Sequence, residues 1–317
     1  MGGFDPIVWA HVARTAGEHM LKRARTLLFA LAVAAVAVPL QTAAQQAGGA
    51  DEAATPAMEV TPDVVYGHKD GMALTFDVIR PPNAHGAAVL YMVSGGWFSR
   101  WSPAERLARR TFSGLLENGI TVLAVRHGSA PRYNVPEAEA DVRRALRYVR
   151  LHADDLEIDE DRLGVFGGSA GGHLSLMLAL GSDQGDETAE DVVLQTPARV
   201  AAVVAYYPPV DIRRMTGPSE RFPALDFPSE QAAGISPILF VTEDDPPTLL
   251  IHGDADRLVN INHSERMYAA LQEHDVESEF ITIQGGAHGF PDPAHRDRAQ
   301  AAMTEWFVQH LGPNAGN

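Results

Sequence analysis

The sequence contains no cysteine in 317 residues. That excludes disulfides, a thiol nucleophile and thiolate metal sites, so the fold must rest on its non-covalent core. Positive charge is scarce: 25 Lys and Arg stand against 41 Asp and Glu, a formal net charge of −16. Such a surface repels nucleic acid and anionic membranes, and neither is expected as a partner. Long apolar runs are scarce as well. Leu27–Leu40 spans only 14 residues, too short for a comfortable membrane span.

That run follows the basic stretch Met20–Arg25 and precedes Thr42-Ala43-Ala44, whose small side chains suit a cleavage site. The pattern predicts a secretory signal peptide cleaved after Ala44, behind an N-terminal extension, residues 1–19, that lacks export features. The protein is expected to be exported to a bacterial periplasm or medium, with no stable membrane insertion after cleavage. An uncleaved anchor is the competing reading. Residues 45–60 are small and polar and read as a linker.

What remains is ample for one large domain, 61–313. Hydrophobic residues are 45% and charged residues 21% of the chain, values that suit a globular core. Apolar runs flank Asp70-Gly71, a hairpin signal. Strands are then expected at Ala87–Val93, Thr121–Val125, Leu163–Gly167, Val200–Tyr206, Thr248–His252 and Ser278–Ile283. Helices are expected between them at Pro103–Asn118, Pro136–His152, after Ser169, at Asn262–Glu273 and at Arg298–Leu311. This alternation predicts an α/β fold: a mostly parallel sheet with an antiparallel N-terminal hairpin and helices on both faces. The irregular stretch 211–245 is either a partial cap over a pocket or a plain surface loop.

The most informative string is Gly167-Gly168-Ser169-Ala170-Gly171, at the junction of a strand and a helix. A sharp turn there lifts a serine hydroxyl clear of the sheet, beside helix N–H groups that favour negative charge. An ordinary glycine-rich turn would have the same composition; the flanking strand and helix favour Ser169 as a nucleophile. A serine needs a base, and the base needs a partner that fixes its tautomer. Thr248–Asp256 and Ser278–Gly289 each run from a strand into a loop, placing Asp256 and His288 beyond strand ends. His127, His173 and His252 are rivals for the base. Asp254 is the rival for the acid, better suited to stabilising its own turn. After the strand ending at Val93, Ser94-Gly95-Gly96-Trp97-Phe98 lies where a first βα loop supplies oxyanion-hole amides. Gly96 and Ala170 are the expected principal donors, with Gly95 as a third. Trp97, Phe98 and Trp101 are candidates for a substrate wall or for packing.

With these stretches assembled, residues 62–312 resemble the α/β-hydrolase superfamily, in its small carboxylesterase branch. That branch contains the acetyl-xylan and feruloyl esterases and the hormone-sensitive-lipase-like enzymes. The likeness is carried by Gly167–His173, by Pro136–Val142 with Asp159–Leu163, by Pro246–Asp256 and by Gly286–Phe290. One position departs: the family's oxyanion loop begins with His, and here Ser94 stands there, so the loop must be anchored differently. The resemblance implies hydrolysis of small-molecule or polysaccharide-linked carboxylic esters through an acyl-enzyme, with no cofactor and no metal. Peptidase or amidase activity of the arylformamidase kind, and a catalytically silent binding protein of this fold, are the alternatives.

Overall fold

The computed structural model describes residues 58–313. The expected signal peptide, and the expected linker up to residue 57, lie outside them. Strands β1 (Glu59–Lys69) and β2 (Met72–Arg80) form the N-terminal hairpin. Its two-residue turn puts Asp70 and Gly71 in left-handed backbone, φ 49° and 78°, the conformation for which Asp-Gly is selected. Strand begins at Glu59, so the last two residues of the expected linker, Glu59 and Val60, belong to the sheet.

Six further strands follow: β3 (Ala88–Met92), β4 (Thr121–Val125), β5 (Leu163–Gly168), β6 (Ala202–Tyr206), β7 (Thr248–Gly253) and β8 (Ser278–Ile283). The sheet order is β1-β2-β4-β3-β5-β6-β7-β8. The hairpin joins antiparallel through β2 and β4, and all later neighbours are parallel. The chain steps from β3 outward to β4, then returns past β3 to β5. That reversal leaves the carboxyl ends of β3 and β5 side by side with divergent loops, where parallel sheets form a crevice.

The helices are α1 (Ala104–Leu107), α2 (Ser113–Glu117), α3 (Val135–Leu151), α4 (Ala170–Leu180), α5 (Val192–Gln195), α6 (Asn262–Glu273) and α7 (Pro293–Leu311). Residues of α3, α4 and α6 pack one face of the sheet, and those of α1, α2 and α7 the other. The short central strands β4, β6 and β7 are buried on both faces for this reason. Helix α3 begins with a capping box between Asn134 and Glu137, which satisfies backbone donors at its first turn.

Two helices differ from expectation. Pro103–Asn118 is interrupted at Ala108–Phe112 by a π-helical turn, which adds a residue to one turn and frees a carbonyl. The Gln300 side-chain amide donates to that of Arg110 at 3.0 Å. Helix α7 starts at Pro293 rather than Arg298, because Asp292 caps it by accepting from the Ala294 N–H at 2.8 Å. The stretch 211–245 forms short 3₁₀ turns at Pro223–Leu225, Ser229–Ile235 and Pro237–Leu239 and buries Leu225, Phe227 and Ile235 in the core.

The hairpin is fastened by charge as well as by its ladder. Arg126, just beyond β4, makes a two-pronged pair with the buried Asp77 of β2, both contacts at 2.8 Å. Asp77→Ala leaves that guanidinium without its buried partner, and a stability loss of about 3 kcal/mol is expected. Urea unfolding checks it.

Candidate active site

Ser169 ends β5 in left-handed backbone, φ 56° and ψ −118°. For a serine this conformation is strained, and it persists because the surroundings over-determine it. A Cβ on Gly167 would sit 2.5 Å from the backbone of Gly171, and one on Gly171 would sit 2.8 Å from the Met92 carbonyl. Strand, turn and helix can meet this closely only without those side chains. The Ser169 N–H donates to the Tyr206 carbonyl at 2.9 Å, and the Ser169 carbonyl accepts from the His173 N–H at 2.9 Å. The turn is held from both sides.

On the far side of the cavity stands His288. Its Nδ1–H donates to Asp256 Oδ2 at 2.6 Å, so Nε2 is the ring's free nitrogen. The Asp256 side chain is wholly buried. Its Oδ1 accepts from the Leu258 and Val259 N–H groups at 2.8 and 3.0 Å, which fixes the carboxylate's orientation. His252 Nε2 lies 3.3 Å from Asp256 Oδ2 while donating to the Val259 carbonyl at 2.9 Å. Ser264 donates its hydroxyl to His252 Nδ1 at 2.8 Å. His252 therefore braces the carboxylate from within the sheet rather than facing the cavity. Asp254 accepts from the Gly285 N–H at 2.6 Å and so pins the acidic turn to the histidine loop. Gly253 makes the two loops' contact feasible: a Cβ there would run into the Gly286 carbonyl.

Ser169 and His288 line one cavity of about 350 Å³. Among the described residues no hydrogen bond joins the free Nε2 to the Ser169 hydroxyl; the ring's one bond, from Nδ1, goes to Asp256. Catalytic contacts of this kind are commonly long before substrate closes them.

The expected oxyanion loop follows β3. Gly96 and Trp97 both adopt positive φ, 60° and 59°, and the chain folds back so that Gly95 and Phe98 exchange backbone hydrogen bonds at 3.0 and 3.1 Å. The Gly95 N–H is thereby spent on the Phe98 carbonyl, which removes Gly95 from the expected donor set. Gly96 and Ala170 keep unengaged N–H groups among the described residues, Ala170 because the first amides of a helix have no intrahelical acceptor.

The expected aromatic wall is not where the aromatics go. The same fold-back drives Trp97 inward: it is 3% exposed, packs edge-on against His173, and donates its indole N–H to His173 Nδ1 at 3.4 Å. Phe98 packs on the core, and Trp101 is 65% exposed. None of the three lines the cavity at Ser169. That place is taken by Tyr91, Phe166, Tyr206, Tyr207 and Phe290, which sit on strand ends and on the histidine loop. Tyr207 packs its ring 4.6 Å from that of His288. A position just past a strand end was the signal available for Tyr207, and Phe290 follows His288 by two residues.

His127 and His173, the other rivals for the base, anchor the expected oxyanion loop. His127 donates from Nδ1 to the Gly128 carbonyl at 2.8 Å, and its Nε2 accepts the Ser94 hydroxyl at 2.9 Å. The imidazole that the resemblance leads one to expect within the loop is thus supplied by the next strand's end and reaches Ser94 instead. His173 donates from Nε2 to the Ile235 carbonyl at 2.7 Å, which ties the 211–245 stretch to the loop through Trp97. Phe222, from the same stretch, lies against Gly96. Among the described residues no group of His, Asp and Glu is arranged to hold a metal, and no helix is long and apolar enough to cross a membrane.

The model of the BD-FAE family matches residues 76–271. The chain belongs to that family. The matched stretch contains Ser169 and Asp256 and stops short of His288, so His288 rests on geometry. Among relatives of this BD-FAE chain, the probable carboxylic ester hydrolase LipM of Mycobacterium tuberculosis is 29% identical over 227 residues, 67% of this chain and 51% of that one. The ethyl acetate hydrolase of Pseudomonas putida is 32% identical over 148 residues, 44% of this chain and 43% of that one. The chain spans between 51% and 59% of the length of LipM, LipQ and LipC of Mycobacterium tuberculosis. The solved truncated form of a carbohydrate esterase from gut microbiota superposes with a TM-score of 0.65 at 28% identity, over 80% of this chain and 96% of that one. Thermogutta terrifontis Est2 with propionate bound gives 0.67 at 22% identity, over 83% and 98%. The architecture is the α/β-hydrolase fold.

Burial pushes His127 and His173 down to about 4. The unfolded chain takes up those protons near pH 6.5. Between pH 6.5 and 4 the unfolded state therefore holds more protons, and stability falls as pH falls; above pH 6.5 the contribution is complete. A loss on the order of 3 kcal/mol for each histidine is expected across that window. Denaturant unfolding at pH 7 and pH 4.5 checks it, and His127→Gln should flatten part of the decline.

Proposed function

We propose that this chain is a serine carboxylesterase that cleaves short-chain or carbohydrate-linked esters through an acyl-enzyme. One observation carries the reading: Ser169, held in strained backbone at the end of β5, opens onto the same cavity as a histidine whose ring is fixed by a buried carboxylate. The names of the relatives, a carboxylic ester hydrolase, an ethyl acetate hydrolase and a carbohydrate esterase, support the same chemistry.

In this mechanism His288 takes the Ser169 proton at Nε2 as Oγ attacks the ester carbonyl. Asp256 stabilises the imidazolium, and the Gly96 and Ala170 amides bind the tetrahedral oxyanion. His288 then protonates the departing alcohol, leaving the acyl group on Ser169. A water enters and loses its proton to His288. It attacks the acyl carbonyl, and the carboxylic acid leaves as the serine is regenerated. Export belongs to the same proposal and is supported by the basic, apolar and small-residue succession of Met20–Ala44.

A panel of 4-nitrophenyl acyl esters, with acetylated and feruloylated xylan beside it, tests the proposal. Acetyl to butyryl esters are expected to be preferred, and Ser169→Ala should lower kcat/KM by about three orders of magnitude or more. A strong preference for long acyl chains, or full activity in the variant, would overturn it.

A further inference from the structure

The Ser169 cavity carries a charge that the protein as a whole does not. In a chain with net charge −16, the cavity wall includes two guanidiniums, Arg110 and Arg296, and no carboxylate. Among the described residues neither arginine forms an ion pair: other arginines, such as Arg80, Arg126 and Arg143, meet Asp or Glu. Arg110 sits on the π-helical turn and Arg296 on the first turn of α7. The Gln300-to-Arg110 carbonyl bond fastens these two segments together, so the pair stands on one braced wall. Arg296 is half-buried, and Arg110 is exposed at the rim.

Unpaired guanidiniums beside an aromatic floor select for a planar anion, which Arg can bind with two parallel hydrogen bonds. We propose that the natural ester bears a carboxylate, seated between Arg110 and Arg296 while the scissile carbonyl lies at Ser169. This rests on the esterase reading above and names its substrate class. The carboxylate belongs either to the acyl half, as in a half-ester of a dicarboxylic acid, or to the alcohol half, as in an ester on a uronic acid.

Two substrate pairs separate those sources. For the acyl half, mono-4-nitrophenyl succinate is compared with 4-nitrophenyl butyrate. For the alcohol half, an acetylated methyl glucuronoside is compared with the acetylated methyl glucoside. At low salt, kcat/KM for the anionic member of at least one pair should exceed that for its neutral partner about tenfold, the effect of one charge-assisted contact. The ratio should shrink as NaCl is raised and should fall about tenfold in Arg110→Gln/Arg296→Gln. A second cleft beside His288 contains Arg221 and Arg257 and supplies the comparison. Arg221→Gln/Arg257→Gln should leave the ratio standing, and loss of the ratio there instead would overturn the assignment. A wild-type ratio within twofold in both pairs overturns it too.

Failure of the esterase reading shows separately, as no hydrolysis of any of the four esters. Ser169→Ala protein then decides the anion site by calorimetry. Tighter binding of monomethyl succinate than of methyl butyrate, lost on adding the Arg110 and Arg296 changes, supports it; equal binding of the two overturns it.

Discussion

Everything at the rim of this sheet follows from how closely three pieces of backbone approach one another. The end of β5, the start of α4 and the end of β3 meet at Gly167, Gly171 and Met92 with no room for a β-carbon. That crowding holds Ser169 in a conformation a serine would leave in open solvent. It also sets the β3 loop beside the α4 N-terminus, so the two candidate oxyanion amides share a site with the hydroxyl. Geometry normally paid for in flexible side chains is here written into the main chain.

Around that constraint the histidines divide into two kinds of work. His288 faces the cavity, and its partner carboxylate is buried and saturated with donors. His127, His173 and His252 are buried, and each ring nitrogen already has a protein partner. They act as neutral struts with one donor and one acceptor apiece. A neutral imidazole, with one N–H donor and one bare nitrogen acceptor, can join a hydroxyl or an indole N–H to a carbonyl in this way.

Much of this was legible in the sequence because it is local. The Asp-Gly turn and the strand-to-helix glycine string are short-range signals, and the parallel strands fall within a residue or two of expectation. Ser169, Asp256 and His288 stood out as candidates because each lies beyond a strand end, and parallel topology gathers strand ends. What could not be read depends on backbone that turns against its neighbours. The fold-back after Gly96 sends Trp97 into the core and spends the Gly95 amide. The π-helical turn at Ala108–Phe112 and the early start of α7 bring Arg110 and Arg296 to one wall. The His127–Ser94 contact joins two loops 33 residues apart, a pairing that no spacing rule announces.

β8 lies at the edge of the sheet and is the last strand the chain makes. Its following loop carries His288 and locks against the acidic turn through Asp254 and Gly253. Asp256 and His288 thus come late on neighbouring loops, whereas Gly96, Ser169 and Ala170 come earlier in the chain. Under the mechanism proposed above, Ser169 has its base beside it only once β8 is paired with β7.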